Sequence, residues 1–261
     1  MRRAGTLGEG HEWRIFGQRT LAVLPPGGKP WELSFLGRLD HRPCIVADTI
    51  VVIDELGTAY GLDANTGAQR WRRALGSAPN QDPLPSRLGV LVSTATGGVA
   101  TIDPVDGQAK QLPVDARGLS LALPFEDGAV VLGGGTNQIR VIAGDGTVSR
   151  RGLASPTSRV PPHVARDGVA WIEADGVHWL GPDDAEPIHV SGLGAQPSGV
   201  TSRDGHLYAG GPDGIVRCVA IDDPTKPCWE TPVGGAVTGA PVGIGDHLFV
   251  LAGGGLVVIT R

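Results

Sequence analysis

Cysteine, lysine and long apolar runs are scarce in this chain of 261 residues. The three cysteines (Cys44, Cys218 and Cys228) are too few for a disulfide framework. The longest apolar runs, such as Gly255–Ile259, are far shorter than the roughly 20 residues that cross a bilayer as a helix. Residues 1–10 hold no apolar stretch of the length that a signal peptide needs. We therefore expect a cytoplasmic protein without a membrane partner.

Charge is sparse as well, because only 19 % of the residues are charged and the formal net charge is −5. The 22 basic residues are scattered along the chain, so the electrostatic signature of nucleic-acid binding is missing and we expect no nucleic-acid partner. Arginine outnumbers lysine 19 to three, which indicates a GC-rich, bacterial genome.

Motifs of familiar catalytic chemistry are missing from the sequence. The glycine runs Gly133–Gly135 and Gly253–Gly255 precede predicted strands, whereas a phosphate-binding loop precedes a helix. His11 and Glu12 lack the second histidine of a zinc-protease helix, and no Gly-x-Ser-x-Gly elbow occurs. These absences predict that the chain has no cofactor and no metal site.

Glycine and proline, in contrast, are abundant. The 41 glycines and 21 prolines make up nearly a quarter of the chain, which excludes long helices over most of its length. Because 41 % of the residues are hydrophobic, the chain is too apolar for a disordered one. The composition predicts a turn-rich, all-β fold, and we expect one domain over residues 1–261.

The glycine-rich turns form a repeat of about 40 residues. A glycine or asparagine turn between two short apolar strands recurs at intervals of 38 to 41 residues, at Gly17, Gly57, Gly98, Asn137, Gly176, Gly214 and Gly254. A second turn marker precedes each of these by seven to ten residues, and a proline marks the entry of most units. Four strands per repeat are typical of a β-propeller blade, so the sequence predicts a seven-bladed propeller of four-stranded antiparallel blades.

The final unit has only three predicted strands before Arg261. We expect the N-terminal residues Met1–Leu7 to complete this last blade by strand exchange. The alternative is that the same residues form the first strand of blade one, and the sequence leaves both possibilities open.

The segment Gly57–Trp71 carries a family resemblance. It reads GTAYGLDANTGAQRW and resembles the PQQ-like (quinoprotein-type) propeller repeat, with Asp63, Thr66, Gly67 and Trp71 in the motif positions. An Asp-x-x-Thr-Gly turn lets the aspartate bind backbone donors while the glycine takes a positive φ, and the tryptophan is expected to pack between adjacent blades.

Later copies of this motif are weaker. Asp103 and Gly107 keep the spacing, but Gln111 stands in the tryptophan position. The resemblance implies a propeller, whereas the quinone of the quinoprotein dehydrogenases goes with eight blades, a calcium site and a much longer chain. This sequence departs from that pattern, so we expect no quinone cofactor.

Ligands and partners of propellers meet the loops that join one blade's outer strand to the next blade's inner strand, around the mouth of the central funnel. In these loops His41, His163 and Asp82 are the weak candidates for acid and base catalysis. The candidate binding residues of the same loops are polar or charged: Arg38, Asp40, Arg42, Asn80, Gln81, Arg117, Arg159, Gln196 and Ser198.

The function predicted from these features is that of a non-enzymatic binding or scaffold propeller, which engages a protein or a small ligand through its loop-bearing face. The alternative is a lyase or hydrolase with its active site at the mouth of the funnel. A lectin-like role has less support because the chain has only two tyrosines to stack on sugars.

One cysteine pair has an unusual placement. Cys218 and Cys228 are equally far from Asp223, the middle of a predicted hairpin turn, and so are expected to face each other across two strands. Whether a disulfide joins them is left open. The nearby His206 is expected to be a packing or solvent-facing residue.

Overall fold

Short strands separated by glycine turns make up nearly all of the regular structure in the computed structural model. The structure describes residues 3–114, 120–133, 138–153, 162–165, 168–194 and 196–260. Within these ranges there are 27 strands and two 3₁₀ turns, Gly8–Gly10 and Ser191–Leu193. No helix in the described ranges is long and apolar enough to span a membrane.

The chain divides into two compact units, Met1–Arg150 and Arg151–Arg261, which are considered separately. Unit 1 starts with three four-stranded sheets. The first contains β1 (Arg3–Thr6), β2 (Glu12–Phe16), β3 (Thr20–Leu24) and β4 (Trp31–Ser34). The second contains β5 (Cys44–Val46), β6 (Thr49–Ile53), β7 (Thr58–Asp63) and β8 (Gln69–Ala74). The third contains β9 (Leu84–Ser86), β10 (Gly89–Ser93), β11 (Val99–Ile102) and β12 (Ala109–Gln111).

The fourth sheet contains β13 (Ser120–Phe125), β14 (Gly128–Gly133), β15 (Gln138–Ile142) and β16 (Val148–Leu153), in which the first unit ends. Unit 2 continues with β17 (His163–Ala165), β18 (Gly168–Glu173), β19 (Gly176–Leu180) and β20 (Ile188–His189). The sixth sheet contains β21 (Gly199–Arg203), β22 (His206–Gly210), β23 (Ile215–Ala220) and β24 (Trp229–Pro232). The last sheet contains β25 (Val242–Ile244), β26 (His247–Ala252) and β27 (Gly255–Thr260).

Neighbouring strands pair in sequence order and antiparallel, so each sheet is a meander built from local hairpins. Sheets that follow one another within a unit pack face to face. Trp13 and Ile15 of the first sheet, for example, share a core with Ile50 and Val52 of the second. All five residues of β6 are buried because sheets cover both of its faces, which explains a continuous apolar run in place of an alternating pattern.

The N-terminal strand corrects one detail of the predicted fold. β1 pairs with β2, with Arg3 opposite Ile15 and Thr6 opposite Glu12. The hairpin is local, because the chain reverses over the 3₁₀ turn Gly8–Gly10 and Leu7 N–H donates to the carbonyl of His11 at 2.8 Å. The expectation that Met1–Leu7 complete the last blade is therefore wrong, and β25–β27 form a three-stranded sheet in the described part of the chain.

Tryptophans of the outer strands connect successive sheets of unit 1. Trp31 of β4 donates from its indole Nε1 to the carbonyl of Ala64 at 3.1 Å, and its ring lies over Gly67. One repeat later, Trp71 donates to the carbonyl of Pro104 at 2.9 Å, and its ring lies over Gly107. A Cβ atom on Gly67 would be 2.6 Å from the Trp31 ring. The motif residues thus hold neighbouring sheets together, as their positions predict.

The turn beneath Trp31 is organised by Asp63. Its Oδ1 accepts hydrogen bonds from the backbone N–H of Asn65 and of Thr66, at 3.1 and 2.9 Å, and from the Thr66 hydroxyl at 2.8 Å. Gly67 then takes a φ of 73°, which a side chain would strain. The aspartate, threonine and glycine of the repeat motif are fold residues.

Candidate functional site

The predicted loop residues of unit 1 form a connected cluster. His41 and Asp82 lie in the loops that precede β5 and β9, and His41 Nδ1 is 3.3 Å from Asp82 Oδ1. The other ring nitrogen of His41 is 3.2 Å from the carbonyl oxygen of Pro79. Asp82 Oδ1 also accepts from the backbone N–H of Arg42 at 2.9 Å. The pair therefore fastens two loops together, and both nitrogens of His41 have acceptor partners.

The environment of Asp82 favours its carboxylate form. Partial burial raises the pKa of Asp82, but the hydrogen bonds from His41 and from the backbone N–H of Arg42 outweigh burial, so the pKa lies below its ordinary value. Arg42, whose side chain is 76 % exposed, places its Nε 3.9 Å from Asp82 Oδ2.

The remaining loop candidates of unit 1 are engaged in internal contacts. Arg38 binds Asp40 at 3.0 Å and Glu55 at 2.8 Å, and the hydrogen bond to Asp40 raises the pKa of the guanidinium. Gln81 donates to the carbonyl of Ala122 at 2.6 Å and accepts from its N–H at 3.0 Å, which joins this loop to β13. Asn80 donates its backbone N–H to Ser93 at 3.0 Å. These contacts hold the loops to one another and to neighbouring strands.

The candidates of unit 2 are more dispersed. His163 is the first residue of β17 and lies opposite Ala170, so it belongs to a strand and not to a loop. Ser198 precedes β21 and donates its backbone N–H to Gly210 at 2.7 Å, while Gln196 is exposed. Arg117 and Arg159 lie outside the described residues.

The arginines of the outer strand β8 also have defined partners. Arg70 binds both oxygens of Asp48, at 2.7 and 2.6 Å, and Asp63 Oδ2 at 2.7 Å. The hydrogen bond from Arg70 and those of the turn lower the pKa of Asp63 to about 2. Arg72 lies over the ring of Tyr60, 5.6 Å from its centroid, and Arg73 donates to the carbonyl of Gly107 at 3.1 Å.

The last sheet has an exposed apolar face that sequence reasoning missed. The pairings Val242 with Phe249, Phe249 with Val258, and Leu251 with Leu256 place these side chains on one side of the sheet. The opposite side is buried against the sixth sheet through Leu248, Val250 and Ala252. We call the apolar part of the exposed side the apolar face, and it comprises Val242, Ile244, Phe249, Leu251, Leu256 and Val258; all but Phe249 are 48–62 % exposed. His247 and Thr260 lie on the same side at one end of the sheet.

The edge of this sheet is unprotected as well. β27 has β26 as its only neighbour among the described residues, so the outer row of its backbone groups has no strand partner there. The outer strands of other sheets carry charged side chains, including Glu32 in β4, Lys110 in β12 and Glu230 in β24, whereas β27 reads GLVVIT without any charge or proline. Charges on an edge discourage strand addition, and their absence from β27 permits it.

The first sheet provides the contrast. Its outward side, which we call the polar face, comprises Glu12, Arg14, Phe16, Thr20, Ala22, Leu24, Glu32 and Ser34, brought to one side by the pairings of β2 with β3 and β3 with β4. Its other side is the buried core around Trp13 and Leu21. Three of these residues, Glu12, Arg14 and Glu32, carry a charge, whereas the apolar face of the last sheet carries none.

A cavity of about 340 Å³ lies between the sixth and last sheets of unit 2. Its lining combines charged side chains with aromatic ones: Arg203, Asp204, Tyr208, Trp229, Asp246 and His247. Tyr208 and Trp229 pack with ring centroids 6.1 Å apart.

Seven successive antiparallel meanders in the described residues, six with four strands and one with three, define the class of protein. The chain has the fold of a β-propeller. With 19 % identity and a TM-score of 0.70, it is similar to the crystal structure of BamB from Moraxella catarrhalis, over 98 % of this chain and 80 % of that one. It is also similar to the computationally designed Ika8 protein, with 13 % identity and a TM-score of 0.66, over 99 % of this chain and 92 % of that one.

The repeats show which kind of propeller this is. Residues 18–110, a little over a third of the chain, match the family described as outer membrane protein assembly factor BamB. That segment contains both tryptophan-docked turns. The match and the fold confirm the resemblance to PQQ-like repeat propellers. No curated protein matches the chain in sequence.

Proposed function

We propose that this chain is a non-enzymatic propeller that binds a protein partner through the apolar face and the open edge of its last sheet. The observation that carries the proposal is the set of five side chains on that face that are 48–62 % exposed. A contiguous apolar patch on a soluble protein marks an interaction site, since covering it removes its area from water.

The open edge indicates how the partner would be held. A strand of the partner that pairs with β27 would bring the last sheet to four strands, the number in each of the other six described sheets. Backbone hydrogen bonds would supply affinity, and alternate side chains of the added strand would contact Leu256 and Val258. A partner with an extended, apolar segment fits this site best.

The comparisons support a protein partner in general terms. Assembly factor is the description of the family that residues 18–110 match. A propeller that presents rigid sheets is suited to such a role. The loop-bearing face, with Arg38 and Arg42 exposed, is a second surface for a protein or a small ligand, and its use stays a prediction, as does the cytoplasmic location.

The enzymatic alternative has less support from the geometry. A general base needs a ring nitrogen that can reach a substrate, and both nitrogens of His41 are already within 3.3 Å of an acceptor. Asp82 in turn binds the backbone of Arg42, as expected for a structural residue.

The proposal is tested by site-specific photo-crosslinking in cells of the source organism. A crosslinking amino acid at Leu256 is expected to form one predominant adduct with another protein, and the further substitution Val258→Lys is expected to abolish it. The matched control carries the crosslinker at Val105, a turn residue that is 77 % exposed in unit 1. Equal adducts at the two positions would contradict the proposal. An adduct between two copies of this chain would show that the apolar face mediates self-association and does not bind a separate partner.

A further inference from the structure

Two cysteines and a histidine of the sixth sheet come together in a way that no catalytic motif of the sequence suggests. One ring nitrogen of His206 and the Sγ atoms of Cys218 and Cys228 all lie within 4.8 Å of one another. The residues come from β22, from β23 and from the position just before β24, and Cys228 N–H donates to the carbonyl of Cys218 at 2.7 Å. No disulfide joins the two cysteines.

We propose that His206, Cys218 and Cys228 form a binding site for a zinc ion. Thiolate and imidazole are the ligands that Zn²⁺ prefers, and tetrahedral zinc with bonds of about 2.3 Å to sulfur and 2.0–2.1 Å to nitrogen separates its ligand atoms by about 3.5–3.8 Å. The three ligand atoms lie within 4.8 Å of one another, at most about 1 Å beyond that spacing, so the site asks for only a small adjustment of the side chains.

The hydrogen bond of His206 prepares the ring for a metal. Its Nδ1 is 2.9 Å from the carbonyl oxygen of Asp204. A carbonyl only accepts, so Nδ1 carries the proton and Nε2 keeps a lone pair, which makes Nε2 the nitrogen that the proposal assigns to the ion. Metal-binding histidines usually donate their second nitrogen to a carbonyl or carboxylate in this manner.

The burial of the three ligands determines how an ion would reach the site. Cys218 is buried, His206 is partly buried and Cys228 is exposed, so an ion enters from solvent and keeps one coordination position for water. Binding converts two thiols into thiolates and releases two protons to solvent. The ion would tie β22, β23 and the start of β24 together beside the cavity between the sixth and last sheets. This site is independent of the partner-binding role proposed above.

A second group of potential ligands, Glu173, Asp175 and His178, offers a comparison within the same unit. Its members already bind one another or their neighbours: His178 Nε2 is 2.9 Å from Asp175, and Trp171 donates to Glu173 at 2.7 Å. A group without thiolates is a poorer zinc site, and His178 therefore serves as a control.

The test is titration of the reduced, purified chain with Co²⁺, which reports thiolate ligands by a near-ultraviolet charge-transfer band and tetrahedral geometry by visible bands. Both bands are expected at one equivalent, with displacement by Zn²⁺. Cys228→Ser and His206→Gln should each weaken binding at least about tenfold, whereas Cys44→Ala and His178→Ala should leave the spectrum unchanged. Zinc should also raise the Tm of the wild-type chain by about 5 °C when free zinc is near 100 times the Kd.

Three results would overturn the proposal. These are the absence of a thiolate band in the reduced protein, a spectrum that persists in Cys228→Ser, and a spectrum that is unchanged in His206→Gln. Circular dichroism of the metal-free variants shows whether each still folds. Because His206 and Cys228 are not buried, both variants are expected to fold and to keep the circular dichroism spectrum of the wild type.

Discussion

The first sheet covers its outward side with Glu12, Arg14 and Glu32, whereas the last sheet covers its outward side with Ile244, Leu251 and Leu256. Both sheets bury one side against a neighbouring sheet of their own unit. The difference therefore lies only in what each shows to water. A polar side needs no further contact, while an apolar side exposed to water raises the free energy of the protein until something covers it. The contrast is the basis for placing the proposed partner site on the last sheet and not on the first.

The sheets also differ in how they are fastened. The first sheet docks Trp31 onto the turn at Gly67, so Gly67→Ala should introduce a Cβ 2.6 Å from the indole at a φ of 73°. We expect a loss of about 2–4 kcal/mol in the free energy of unfolding, measured by urea denaturation. The matched change in the last sheet is Gly254→Ala, where φ is 81° and no atom lies within 4 Å. Gly254→Ala should lower the free energy of unfolding by about 1 kcal/mol. Equal losses for the two variants would show that the contact between Trp31 and Gly67 is unimportant.

The two sides of the last sheet can be compared within one strand pair. Val250 is 1 % exposed and packs on the sixth sheet, whereas Val258 is 48 % exposed on the apolar face. Val250→Ala should cost about 2 kcal/mol in thermal or urea unfolding. Val258→Ala should change stability by less than about 0.5 kcal/mol in the isolated chain. A large loss for Val258→Ala would mean that the chain itself covers this side.

The turn at Asp63 should give the first unit a pH dependence. Hydrogen bonds, above all from Arg70, lower the pKa of Asp63 to about 2 from an ordinary 3.8. Their contribution to stability is complete above the ordinary pKa and is lost as the pH falls towards 2. Asp63→Asn should therefore lose about 1 kcal/mol at neutral pH, and its unfolding curve should approach that of the wild type on acidification. A difference in the free energy of unfolding between Asp63→Asn and the wild type that stays constant down to pH 2 would contradict the stabilising role of the Asp63 carboxylate.

Much of the fold was predictable because glycine-containing turns mark each repeat at regular intervals. The turn predicted at Gly57 falls between β6 and β7, the turn predicted at Gly98 falls between β10 and β11, and Trp71 packs where the motif places it. The pairing of β1 was not predictable in the same way. The short N-terminal segment fits either the first or the last blade, and the hairpin over Gly8–Gly10 decides between them.

The surfaces were harder to predict. His41 and Asp82 were identified from their loops, but their mutual contact depends on how two loops fold. In β27 both sides are apolar, so the sequence does not tell which one is buried. The sequence predicts that His206 is a packing or solvent-facing residue. Its proximity to Cys218 and Cys228 depends on the register of β22 with β23, which cannot be read from the sequence, and on the turn that returns Cys228.

The most direct test of the partner-binding role is hydrogen exchange of the isolated chain and of the chain in complex with the protein captured at Leu256. The isolated chain should exchange rapidly along β27, because the outer amides of an edge strand face solvent. In the complex, peptides covering residues 255–260 should gain protection, and those covering β1–β4 should not change. Protection that appears instead in the first sheet, or in the loop of residues 38–42, with β27 unchanged, would contradict the account.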